Sequence, residues 1–228
     1  MAFNNYGSRF PQTTPIVLNL IIINALVFLA QTVSEGFTDP NVALDLFALH
    51  FYKSAYFKPY QLITYMFMHG NFLHILFNMY SLWMFGTMIE RSWGPKRFLI
   101  FYLICGIGAG LTQLVWSSIR MGDLDPNMLN PENFVNFNSS ATVGASGAIM
   151  GLLAAFGYLF PNTEFFIIPL PVPVKAKWLV LGMICLDLFG GFSQTKGDDV
   201  AHFAHLGGAA VGFLLVLFWN KTNKKSFY

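Results

Sequence analysis

Six apolar runs constrain this chain more than any other feature, at residues 15–33, 71–88, 98–119, 141–160, 178–192 and 200–219. Crossing the hydrocarbon of a bilayer takes roughly 20 residues of helix. Inside that hydrocarbon every backbone N–H and C=O must find an internal partner, so such runs fold as helices. The expectation is an all-α membrane protein, a bundle of six transmembrane helices. The fifth run is short and borrows flanking residues. Only 11% of the chain is charged, against about 25% in soluble globular proteins.

An even number of spans puts residues 1–14 and 220–228 on one side of the membrane, and the distribution of cations says which. With a cytoplasmic N-terminus, the inside segments hold Arg9, Arg91, Lys96, Arg97, Lys175, Lys177, Lys221, Lys224 and Lys225, and the outside holds Lys53, Lys58, Arg120 and Lys196. Most of the acids, Glu35, Asp39, Asp45, Asp123, Asp125, Glu132, Asp198 and Asp199, then fall outside. The reading is a cytoplasmic segment 1–14, a six-helix domain 15–219 and a basic cytoplasmic tail 220–228, in the plasma (inner) membrane if the source is prokaryotic. The start MAFNNYGSRF has neither the basic region of a cleavable signal peptide nor the Arg-rich character of an organellar import sequence. A net charge of +2 suggests no nucleic-acid partner, and the basic tail reads as an anchor at the lipid headgroups.

Between spans one and two lies a long insertion, 34–70, rich in Phe and Tyr. It reads as an ordered segment in the outer interface rather than a linker. Residues 168–174 read as a cytoplasmic connection. Cys105 and Cys185 fall within spans, where a thiol acts as a small packing group.

Polar groups within spans are expensive unless they meet a partner or a water-filled cavity, so they mark candidate functional positions. Here they gather near the outer end of three helices: His74 and Asn78 on the second, Ser146 on the fourth, His202 and His205 on the sixth. Counting at about 1.5 Å per helical residue from Ala141 and from Val200 puts Ser146 and His205 both roughly 7 to 8 Å below their helix starts. Each sits in a glycine-rich stretch, with Gly147 and Gly151 beside the serine and Gly208 and Gly212 beyond the histidine. That small-xxx-small spacing brings membrane helices nearly backbone to backbone. Such an approach lets a histidine reach a serine hydroxyl and act as its general base. A serine among glycines or a lone histidine is ordinary helix packing; two packing motifs carrying matched halves of a nucleophile and base pair are harder to explain that way.

His74 and Asn78, four apart, share a helix face. They are either a helix-to-helix hydrogen-bonding pair or donors to a developing oxyanion. Asp187, in the fifth span, counts as deeper than the serine and histidine, which favours a structural role over membership of a triad. His50 and His69 are assigned to no chemistry.

The runs HGNFLHILFN (69–78), GASG (144–147) and AHLGG (204–208) with Gly212 resemble the rhomboid protease family, and the likeness extends across all six spans. The resemblance implies a serine and histidine dyad without an acid, Ser146 as nucleophile and His205 as base. It implies an oxyanion site on His74, Asn78 and the backbone N–H of Ser146. Glu90 matches a position that acts as a structural brace. Two departures stand out: Met150 where many members carry an aromatic residue, and Tyr60-Gln61 where many carry a Trp-Arg pair that braces the outer loop.

The resemblance further implies cleavage of transmembrane segments of other membrane proteins through an acyl-enzyme near the outer face, the substrates entering from the bilayer. No metal or cofactor is expected. A metalloprotease would need an HExxH pattern, which is absent, and an aspartyl protease two acids within spans, where only Asp187 qualifies. A transporter or an inactive rhomboid-like binding protein would use the same fold, and the intact Ser146 and His205 argue against the inactive form.

Overall fold

A computed structural model describes residues 14–37, 41–123, 141–166, 172–193 and 200–222. The chain opens with α1 (Pro15–Glu35), whose proline at the first turn lacks the N–H that would be orphaned there. Two further orphans of that turn are met from afar. The Glu90 carboxylate accepts from Ile16 N through Oε1 at 3.0 Å and from Val17 N through Oε2 at 2.8 Å. Glu90 is only 1% exposed, so this acid caps a helix end that has little water to do so. The brace expected at Glu90 is thus a helix cap.

Next come α2 (Asn41–Phe47), a short strand β1 (Leu49–His50), α3 (Gln61–Thr64) and a 3₁₀ turn at Tyr65–Phe67. The insertion is therefore ordered where described, and Gln61 ties it together. Its Oε1 accepts from Lys58 N at 3.1 Å and from His50 N at 3.4 Å, while its Nε2 donates to the carbonyl of Tyr56 at 2.9 Å, with those of Asp45 and Leu46 at 3.2 and 3.3 Å. A fully buried amide, with both a donor and an acceptor end, here braces the loop, while Tyr60 points outward.

The second span is α4 (Phe72–Ser81), a π turn at Leu82–Gly86 and α5 (Thr87–Trp93). Gly94, at φ 82°, ends it, and Pro95 starts α6 (Pro95–Asp123). After β2 (Ala141–Thr142), paired antiparallel with β1, comes α7 (Ser146–Leu159). A hairpin of β3 (Glu164–Phe166) and β4 (Pro173–Lys175) leads to α8 (Ala176–Ser193), and α9 (His202–Thr222) ends the described chain.

Among the described residues, five helices are long and apolar enough to cross a membrane: Pro15–Glu35, Phe72–Trp93, Pro95–Ile119, Ala176–Ser193 and His202–Lys221. The protein is a helical, multi-pass membrane protein, with two small two-stranded sheets added to the helices. The fourth apolar run behaves differently from the others. Its helix starts at Ser146 rather than at Ala141, because residues 141–142 pair as a strand and Gly144 takes φ 121°. At 14 residues, or about 21 Å, α7 is shorter than the roughly 30 Å hydrocarbon core. It is also the most enclosed helix, with every residue from Gly147 to Phe156 buried. A helix apolar on all sides belongs at the centre of a bundle, and α6 and α9 pack on it there. The end of the bundle's axis at the N-terminus of α7 is thereby left to a loop and a cavity.

The glycines set the crossing of α7 and α9. A Cβ on Gly208 would run into the carbonyl of Gly147, and one on Gly212 would lie 2.6 Å from Gly151 Cα. The paired small-xxx-small spacing does face across this interface. Around the rim, α1 and α8 present Leu18, Leu26, Leu29, Leu186, Phe189 and Phe192 outward. Residues 1–13, most of 168–174, and 223–228, which include most of the two cytoplasmic segments read from the sequence, lie outside the described residues.

Candidate active site

The strand and turn that replace the start of the fourth helix also aim its first residue. Gly144 N donates to the Tyr65 carbonyl at 2.9 Å, and its φ of 121° turns the chain downward so that Ser146 opens α7. Only glycine fits: a Cβ there would lie 2.8 Å from Cε1 and Nε2 of the His74 ring. The N–H groups of the first turn of α7 have no acceptor within their own helix and point outward, where they favour negative charge.

His205 sits in the first turn of α9, its Nε2 2.7 Å from Ser146 Oγ. Its Nδ1 lies 3.0 Å from Asp187 Oδ1 on α8. Asp187 reads from the sequence as deeper than this pair, yet its carboxylate is in contact with His205. Counting along helices misjudges depth where the chain enters as strand and turn, since extended residues advance about 3.3 Å each rather than 1.5 Å. Ser146 enters the bundle in few residues, and one histidine reaches both its hydroxyl and, through the opposite ring nitrogen, the Asp187 carboxylate. The same Oδ1 is 2.8 Å from His202 Nδ1.

Facing Ser146 is α4. Its N-cap residue Asn71 accepts from His74 N at 2.9 Å, and Gly70 N donates to His74 Nδ1 at 3.4 Å. An acceptor role for Nδ1 leaves the proton of the neutral ring on Nε2, the nitrogen that faces Gly144. One turn on, Asn78 is 6% exposed and its Nδ2 has no hydrogen-bond acceptor among the described residues. An unpaired buried donor is costly and calls for an explanation. All these groups line one cavity of about 1260 Å³, bounded by α4, α6, α7, α8 and α9.

Residues 56–221 match the family model of the Rhomboid domain. The chain belongs to the rhomboid family of intramembrane serine proteases. It is 30% identical over 208 residues to the Rhomboid protease AarA of Providencia stuartii, covering 88% of this chain and 70% of that protein. With RHOMBOID-like protein 12, mitochondrial, of Arabidopsis thaliana it shares 33% identity over 220 residues, 93% of this chain and 60% of that one. With the Rhomboid protease GlpG of Yersinia pestis (strain Pestoides F) the figure is 22% over 215 residues, 93% and 65% of the two. The chain thus spans less than two thirds of two of these three relatives.

Among the residues singled out from the sequence, this rhomboid brings Ser146, His205, His74 and Asn78 to one cavity. His50 is buried at its outer wall, with Nε2 3.2 Å from the Leu44 carbonyl. His69 packs its ring against His74, centroids 5.1 Å apart, and its backbone is held by Gln31, whose Nε2 donates to the His69 carbonyl at 2.9 Å. Burial, and secondarily the neighbouring His74, pushes the His69 imidazole down to about 4, so this loop histidine stays neutral. Met150 is buried on the cavity's inner wall. What sequence reading missed is the contact of Asp187 with both α9 histidines. The signal was there in their spacing: His202 and His205 are three apart and share a helix face, and a buried acid in a span demands partners on some neighbouring helix.

Proposed function

We propose that this rhomboid is an endopeptidase that cleaves transmembrane segments of other membrane proteins through a covalent acyl-enzyme. The observation that carries the reading is the 2.7 Å approach of His205 Nε2 to Ser146 Oγ. In the first step the Ser146 hydroxyl proton passes to His205 Nε2 as Oγ bonds to the scissile carbonyl carbon. The carbonyl oxygen gains the electron pair and takes hydrogen bonds from His74 Nε2–H, the Asn78 amide and the Ser146 backbone N–H. Collapse of that intermediate breaks the C–N bond, and the imidazolium gives its proton to the leaving amine. A water, deprotonated by His205, then attacks the acyl carbon, and as the C–Oγ bond breaks the imidazolium returns the proton to Ser146 Oγ, freeing the carboxylic acid product.

Water reaches this site through the cavity, and the partner is a membrane-embedded polypeptide held in the same bilayer. A helical peptide bond is shielded by its neighbours and must unwind before a serine can reach it, so the substrate segment enters sideways and opens locally. The distribution of cations supports cytoplasmic termini and a site near the outer face. A single-span substrate protein reconstituted with the enzyme in liposomes tests the reading. Cleavage within or beside the span by the wild type, and none by Ser146→Ala, is the expected result; equal cleavage by both proteins overturns it.

A further inference from the structure

We infer that Asp187 is a positioning residue for the base: its carboxylate fixes the tautomer and orientation of His205, and His202 holds that carboxylate in place. The inference rests on the reading of Ser146 and His205 as nucleophile and base. It departs from the two-residue site that the resemblance implies.

A neutral histidine has two tautomers, and only the one carrying its proton on Nδ1 leaves a lone pair on Nε2 to receive the serine proton. Near Nδ1 of His205 lies a carboxylate oxygen, Asp187 Oδ1, at 3.0 Å. A carboxylate can only accept, so Nδ1 must donate and Nε2 is left as the acceptor toward Ser146 Oγ. When the proton moves from Oγ to Nε2, Nδ1–H stays on the ring and faces the carboxylate. The cation that forms is then balanced by a negative charge in contact with it, in surroundings where Coulomb attraction is strong.

The alternative is that Asp187 only clips α8 to α9 through His202, whose Nδ1 is 2.8 Å from the same oxygen. Two features speak for more than a clip. One oxygen takes both imidazole N–H groups, so His202 and His205 together set the carboxylate's position. The His202 ring also packs on Gly190 of α8, where an added Cβ would run into it, so this histidine holds the two helices in register whether or not the carboxylate is charged. The acid itself is largely enclosed by the bundle, its side chain 11% exposed, and a carboxylate so placed persists only with partners.

The test compares Asp187→Asn, nearly isosteric and uncharged, with His202→Ala and the wild type in the full chain. Three quantities are measured: kcat, KM for a single-span substrate, and the substrate-free rate of Ser146 labelling by a fluorophosphonate, counted per folded molecule. Loss of a charge-assisted hydrogen bond to the base predicts a fall of about ten- to a hundredfold in kcat and in labelling rate for Asp187→Asn, with KM within about twofold. His202→Ala should lower both as well, but by clearly less than Asp187→Asn, because it removes one of the two groups that place the carboxylate while the Asp187–His205 contact survives. Wild-type kcat and labelling in Asp187→Asn would overturn the inference. So would equal losses in both variants accompanied by a rise in KM and a lower unfolding temperature, the behaviour of a clip. Full cleavage by Ser146→Ala in the same assay would instead remove the underlying reading of the nucleophile, so the two failures are separable.

Discussion

Gly208→Ala places one methyl group at the tightest point of the α7–α9 crossing, beside the carbonyl of Gly147. A carbon and an oxygen without a hydrogen bond rest at roughly 3.3 Å or more, so the helices must part by about 1 Å at that level. Overpacking of this kind costs about 1–3 kcal/mol in stability. The effect on turnover should be larger, because Gly147 follows Ser146 and Gly208 lies one turn beyond His205, the proposed nucleophile and base. A parting of 1 Å stretches the Ser146 Oγ to His205 Nε2 distance from 2.7 Å beyond hydrogen-bonding range, and misplacement on that scale costs roughly a hundredfold in rate. Gly212→Ala, one turn further from the site, meets Gly151 at 2.6 Å and should cost a similar amount of stability with a smaller loss of turnover. Unfolding temperature and kcat per titrated active site, measured for both variants in one detergent, give the comparison. A Gly208→Ala protein with wild-type kcat, or with a loss no greater than that of Gly212→Ala, would refute the reasoning.

Asn78→Ala should lower kcat by about ten- to a hundredfold with KM little changed, since two other donors remain at the proposed oxyanion position; an unchanged kcat alongside a lower unfolding temperature would assign Asn78 to packing. Glu90→Gln leaves both N–H groups at the start of α1 without a charged acceptor, one of them facing an amide NH2 that cannot accept, and should cost about 1–3 kcal/mol of stability, read as a lower unfolding temperature with turnover per folded molecule preserved. His69 titrates near 4 in the fold and near 6.5 when unfolded. The unfolded chain therefore binds more protons between these values, and stability falls as pH drops from about 6.5 toward 4, by on the order of 2 kcal/mol from this group. His69→Gln should flatten that part of the stability profile, and an identical slope in the variant would exclude His69 as its source.

Helices were legible wherever hydrophobicity alone selects them: α1, α6 and α9 begin or end within a few residues of the apolar runs that imply them. The paired glycines at 147, 151, 208 and 212 also gave the α7–α9 crossing, because close approach excludes side chains whatever the surroundings. The start of the fourth helix was not legible. Residues 141–145 are as compatible with a span as those after them, and what unwinds them is a long-range pairing with Leu49–His50 together with a left-handed Gly144. That misplacement carried over to Asp187, whose depth is judged against a serine counted as five helical residues past Ala141. The bracing of the outer loop was hidden for a similar reason. The contacts of Gln61 are all to main-chain atoms, and main-chain partners leave no trace in side-chain identity.

The central claim is that Ser146 is a nucleophile activated by His205. Peptide mass spectrometry after reaction with a fluorophosphonate reads it most directly, because the reagent marks a serine only where a base has raised its reactivity. The account predicts one modified residue, Ser146, in the wild-type protein, modification that persists in the presence of a metal chelator, and its loss in a folded His205→Ala variant. A label on another residue, or a Ser146 adduct formed at the wild-type rate without His205, would contradict it.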